Sequence, residues 1–132
     1  MAQEEPAASA FKSRSGLRRI AGALRYSLDG LRGAWRHEHA FRQEVAVIVP
    51  ASVAALLLPV PALEKLLLIA TMVLILVVEL VNSAIEAVVD RVSLEWHPLS
   101  KSAKDFGSAA VLLSVLLSAA AWGVVLWGML GR

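Results

Sequence analysis

Residues 77–91 read VVELVNSAIEAVVDR, an apolar segment that nonetheless carries Glu79, Asn82, Glu86 and Asp90. Along a helix each residue turns by about 100°, so steps of three, seven and eleven from Glu79 return close to the starting direction and all four side chains project from one narrow face. The other faces are Val, Leu, Ile and Ala. A carboxylate turned toward lipid is costly, so the stripe must look into a protein interior or a wet cleft, and an acid inside a membrane is a functional candidate by default. The structural alternative is a polar seam that joins helices, as Asn and Ser do in membrane bundles. Three acids on one stripe are more than such a seam needs.

The rest of the chain sets this stripe in a membrane. Its 132 residues are 58% hydrophobic with a mean hydropathy of +0.65, which lies outside the range of soluble domains and allows one modest membrane domain. With no Cys, disulfides, thiolate nucleophiles and zinc-thiolate sites are excluded, and the three His show no metal spacing. The stripe belongs to a span from Leu66 to about Val89. Before it, residues 45–63 (VAVIVPASVAALLLPVPAL) hold no charge over about the length a spanning helix needs. Pro50 lies near the start of that span, and Pro59 and Pro61 mark its exit into a turn ending at Glu64 and Lys65. After the stripe, residues 91–105 (RVSLEWHPLSKSAKD) read as a polar loop with Trp96 as an interface anchor. A last span from about Lys104 or Phe106 to Leu130 is rich in Ala, Gly and Ser for close helix contact, with Trp122 and Trp127 toward its far end.

Toward the N-terminus, Met1 to Ser15 are polar and Pro/Ala-rich, lacking the basic start and apolar core of a secretory signal; a loose tail is expected there. From Leu17 onward Leu17, Ile20, Leu24, Leu28, Leu31 and Trp35 step by three or four. Arg14, Arg18, Arg19, Arg25, Asp29, Arg32 and Arg36 mostly fill the other faces. This pattern predicts an amphipathic surface helix over residues 16–36, its cationic side toward anionic head groups. Nucleic acid is not the expected partner of a chain so rich in lipid-seeking sequence. Residues 35–44 (WRHEHAFRQE) then gather Glu38, Arg42, Gln43 and Glu44, which alone read as a solvated junction with a helix-spaced Glu38–Arg42 pair.

Lys and Arg are concentrated in the N-terminal arm and the 91–105 link, so both should be cytoplasmic. Glu38, Glu86, Asp90, Lys104 and Asp105 then converge on one interface from three different spans. Glu79 lies about 16 Å from Asp90 along the helix axis. Acids at and beneath the head groups, beside Lys104 and several Arg, suit phosphoryl transfer: carboxylates hold magnesium while substrate phosphates complete its shell, and cations offset phosphate charge. A further, poorly solvated carboxylate can accept a proton from an alcohol. Neither a GxxxxGK(S/T) loop nor a protein-kinase Gly-rich loop occurs, so a nucleotide site would be of another kind.

The strings AFRQE (40–44), ELVNSAIEAVVDR (79–91) and AKDFGSAAV (103–111), in this order and at these separations, resemble the prokaryotic integral-membrane diacylglycerol kinases. The resemblance covers roughly residues 17–128. It implies an all-α homotrimer in the bacterial inner membrane, each subunit having three spans and a cytoplasmic N-terminal surface helix. That single membrane kinase domain, over 16–132 with spans near 42–63, 66–90 and 104–130, would phosphorylate diacylglycerol with magnesium and ATP at sites shared between subunits.

By the same resemblance, Glu79 is the base at the lipid hydroxyl, oriented by Asn82, and Glu38 and Glu86 contact magnesium and nucleotide. Lys104 and Asp105 match a nucleotide-binding pair, Arg19 and Tyr26 match N-terminal nucleotide and lipid contacts, and Glu95, Trp96 and His97 match the loop near the adenine. Trp35, Gln43, Ser108 and Trp122 would line the lipid path. Leu28 stands where some members have Trp, and Trp96 where some have Tyr, which implies adjusted contacts. Some relatives phosphorylate undecaprenol with much the same constellation, so that alcohol is the alternative substrate. Two other classes remain open: a small proton- or cation-coupled transporter with Glu79 as carrier, and a non-enzymatic assembly subunit whose stripe only specifies packing.

Overall fold

The computed structural model describes residues 16–131, and the expected N-terminal tail lies outside them. Four helices follow in order: α1 (Gly16–His37), α2 (His39–Leu57), α3 (Ala62–Val92) and α4 (Pro98–Leu130). The chain divides into two compact units, one ending at Gly33 and one beginning at Ala34.

The first unit holds most of α1. Leu17, Ile20, Leu24, Leu28 and Leu31 all lie exposed along it, the apolar stripe that the spacing predicts. Asp29 and Arg32 pair at 3.2 Å across one turn.

In the second unit, α2, α3 and α4 are each long and apolar enough to cross a membrane. The step from α1 into α2 is made by Glu38, whose extended backbone (φ −99°, ψ 112°) breaks the helix for one residue. Arg42 Nη1 donates to the carbonyls of Trp35 (3.0 Å) and Arg36 (3.2 Å). The Glu38–Arg42 ion pair expected from spacing is therefore absent among the described residues. The last carbonyls of a helix lack partners within it, and a guanidinium bearing several donors satisfies two of them at once.

Pro50 is accommodated inside α2, as prolines are in spanning helices whose neighbours take up the lost bond. The helix stops at Leu57, short of the expected Leu63, because Leu58 precedes Pro59 and takes an extended conformation (φ −62°, ψ 141°). Lys65 reaches back from α3 to donate to Leu56 O at 2.7 Å. The 91–105 link, expected as a loop, is helical over much of its length. Pro98 opens α4, where its fixed φ and missing N–H suit the first turn, and His97 Nδ1 accepts from Leu99 N at 3.2 Å. Only residues 93–97 separate α3 from α4.

α3 packs chiefly on α4 and next on α2. Near the turn between α2 and α3, Ala55, Val60, Leu68, Ala121 and Val125 form an apolar cluster, followed farther from the turn by Ile48 of α2 with Met72 and Ile75 of α3. The buried face of α4 is Gly107, Ser114, Ser118, Ala121 and Val125, mostly small residues that let helix backbones approach. Within this contact Thr71 Oγ1 donates to Leu68 O at 3.0 Å and lies 3.3 Å from Ser118 Oγ. Such interhelical bonds contribute about 0.6 kcal/mol in membranes, so Thr71→Val is expected to lower unfolding stability in detergent by that order. A loss of several kcal/mol would show that this contact holds the bundle.

At 31 and 33 residues, α3 and α4 run about 46 and 50 Å, well beyond a hydrocarbon core of about 30 Å. Tilt and protrusion must take up the excess. The polar end of α3 and the polar start of α4 meet there, with Lys104 Nζ 2.7 Å from Asp90 Oδ1. Within the second unit, apolar clusters near the α2–α3 turn thus give way to exposed ion pairs at the α3–α4 connection.

Candidate active site

The stripe on α3 looks inward at its deep end and emerges at its shallow end. Glu79 is 5% exposed and Asn82 8%, Glu86 is half-buried and Asp90 exposed. Such a gradient follows from a straight stripe on a helix that leaves the core toward water. Asn82 Nδ2 donates to Glu86 Oε1 at 3.3 Å, one turn along the same face. In this structure the Asn82 amide is therefore bonded to Glu86. Asn82 Oδ1 is buried without a hydrogen-bond partner.

The carboxylates of Glu38, at the α1–α2 break, and of Glu86 lie close enough to Glu79 for their charges to act on it. Glu44, one turn into α2, lies within reach of the Glu79 charge, and its Oε2 is buried without a hydrogen-bond partner. Reading residues 35–44 as a solvated junction misses Glu44. The residue sits next to the apolar run beginning at Val45, and that adjacency is the one sign in the sequence that it turns inward.

Just beyond this cluster, a groove of about 370 Å³ is lined by Asp90, Glu95, Trp96, His97, Lys104 and Asp105. Ser93 Oγ accepts from Glu95 N at 3.0 Å, shaping the connector, and Lys101 pairs with Asp105 across one turn of α4. Five residues expected around a nucleotide thus share one concavity. Trp96 is 77% exposed, leaving its ring free to stack.

The residues expected along a lipid path are not gathered. Trp35, Gln43 and Ser108 are exposed, while Trp122 is half-buried against both apolar clusters, 14 residues and about 21 Å along α4 from Ser108. Arg19 and Tyr26 lie exposed on α1 in the first unit.

Among the described residues no three acidic or imidazole side chains are gathered closely enough to hold a metal ion. Magnesium does not require such a cage: it is commonly bound through one or two carboxylates, with substrate phosphates and waters completing six positions. The carboxylate oxygens of Glu38 and Glu86, both within reach of Glu79's charge, are donors of the kind that mode uses.

Residues 25–126 match the family model for prokaryotic diacylglycerol kinase. The chain belongs to that family. It is 52% identical over 120 residues to the diacylglycerol kinase of Pseudomonas aeruginosa, covering 91% of this chain and 98% of that one. It is 48% identical over 117 residues to the diacylglycerol kinase of Escherichia coli K12, covering 89% and 96%. Against the diacylglycerol kinase of Helicobacter pylori J99, identity is 45% over 108 residues, covering 82% and 84%. The family match bears out the resemblance drawn from the three motifs, and the described helices bear out an all-α membrane chain with three long apolar helices.

Proposed function

We propose that this member of the diacylglycerol kinase family transfers the γ-phosphate of ATP to the free hydroxyl of diacylglycerol at the cytoplasmic face of the bacterial inner membrane, giving phosphatidic acid. The observation that supports the reading is the single polar stripe on α3, running from the buried Glu79 through Glu86 to Asp90, which lines the groove holding Lys104 and Asp105. Glu79 lies deepest, where a lipid hydroxyl arrives, and the groove lies outermost, where a soluble nucleotide arrives.

In this mechanism the groove holds the nucleotide, with Trp96 and His97 beside the base and Lys104 on the phosphates. Asp90, 2.7 Å from Lys104, fixes that ammonium before the nucleotide binds. Glu79 accepts the hydroxyl proton as the lipid oxygen bonds to γ-phosphorus and the bond to the β–γ bridging oxygen breaks, leaving ADP. Glu38 and Glu86 would hold magnesium, which offsets charge on the phosphates. Alignment supplies most of the acceleration, since phosphoryl transfer needs positioning and charge neutralisation more than covalent help.

A homotrimer with shared sites fits the outward-facing Ser108 and the long apolar faces of α2, α3 and α4, which one copy leaves uncovered. The Arg content of the N-terminal arm supports a cytoplasmic N-terminus. Arg19 and Tyr26 on α1 would then serve nucleotide and lipid as they reach the site, and Trp35, Gln43 and Trp122 the lipid's passage. Coupled transport is disfavoured because the acidic stripe and the groove lie toward one end of α3, while the spans beyond them pack chiefly through apolar clusters. Purified protein in mixed micelles with magnesium ATP should label diacylglycerol in preference to undecaprenol. Labelling of undecaprenol alone would reassign the substrate, and labelling of neither would overturn the kinase reading.

A further inference from the structure

Gly107 is the buried residue of α4 that faces the acidic stripe. A methyl group placed there would overlap Asn82 Oδ1 and stand 3.1 Å from Asn82 Cγ. The obstacle is a short side chain that is itself buried, at 8% exposure, so it has little room to yield. Asn82 in turn holds Glu86 through Nδ2 at 3.3 Å. A contact on one helix thereby reaches a carboxylate on the other.

We infer that Gly107 is a positioning residue for the reaction: its missing side chain lets α4 lie against the Asn82 amide, which fixes Glu86 in place for the metal-bound nucleotide. The inference rests on the proposed role of Glu86 and adds a residue on α4 that acts only through Asn82. Helix propensity alone favours alanine over glycine inside a helix, so a loss at this position has the opposite sign to the backbone effect. Gly123, on the same helix, would meet nothing within 4 Å and is the matched comparison.

The test is a double-mutant cycle on the full-length protein, read by two independent measurements. The first is affinity for a non-hydrolysable ATP analogue with magnesium, measured by calorimetry. Gly107→Ala is expected to weaken it about tenfold, as Asn82→Ala does, and to add less than about twofold in the Asn82→Ala background. The second is unfolding stability in detergent, which involves no nucleotide. Gly107→Ala should destabilise the wild type, whereas in the Asn82→Ala background, where the collision partner is gone, it should be neutral or stabilising, as Gly123→Ala should be throughout.

Equal losses in both backgrounds, or wild-type affinity in Gly107→Ala, would overturn the inference. If Gly107→Ala does not fold, the Asn82→Ala background must restore folding, and failure to do so also overturns it. Should the wild type itself not bind the analogue, the kinase reading and the positioning role of Gly107 would fall together. Non-additive stability would then still establish the Gly107–Asn82 collision, which separates that outcome from failure of the contact itself.

Discussion

Glu79→Gln is expected to abolish lipid phosphorylation, lowering kcat by roughly 100-fold to 10,000-fold, the range that a positioned general base contributes. Magnesium ATP affinity should stay within about threefold of wild type, because the change removes an interaction made in the transition state. The substitution is nearly isosteric and places no unpaired charge in the interior. The side chain is 5% exposed and lies three residues, nearly one turn, deeper than Asn82. A folded, nucleotide-binding but inactive protein is therefore the expected product. Steady-state kinetics in mixed micelles, with calorimetric binding of an ATP analogue, separate the two quantities. Turnover at the wild-type rate would remove Glu79 as the base and favour the polar-seam reading, in which amides serve as well as acids.

The expected losses fall along the stripe in an order that its geometry sets. Because the four polar residues lie on one helix face, depth changes monotonically from Glu79 to Asp90, and in the proposed mechanism metal-bound nucleotide and lipid hydroxyl are met at different levels. That much is legible in residues 77–91, since a 3.6-residue period converts spacing into direction without knowledge of the neighbours. The three apolar helices are legible for a similar reason: length and lack of charge suffice. The partners chosen by side chains are not. Arg42 satisfies the carbonyls of Trp35 and Arg36 in place of pairing with Glu38, a choice decided by where α1 happens to end. Asn82 is bonded to Glu86, one turn toward the surface. The start of α4 is hidden by polar composition, because His97 and Pro98 act as an N-terminal cap and first turn only once a helix follows. Gly107 gives even less away, since a glycine among Ala and Ser reads as general helix packing until a specific atom on the facing helix occupies the space of its missing methyl.

Glu86→Gln is expected to act on the other substrate, weakening magnesium ATP affinity about tenfold to 100-fold while lowering kcat less at saturation. Charge-assisted contacts are worth about 1.5–3 kcal/mol, which sets that range. The amide oxygen can still accept from Asn82 Nδ2, now 3.3 Å from Glu86 Oε1, so the local hydrogen bond should survive and the loss reports charge. Glu38→Gln should behave alike, because the two carboxylates are proposed to hold one cation from opposite elements, the α1–α2 break and the middle of the stripe. Raising the magnesium concentration should partly recover the activity of either variant but not of Glu79→Gln. That contrast is the decisive measurement: a magnesium dependence unchanged from wild type in Glu86→Gln would place the cation elsewhere, and recovery of Glu79→Gln by magnesium would make the deepest acid a ligand and not a base.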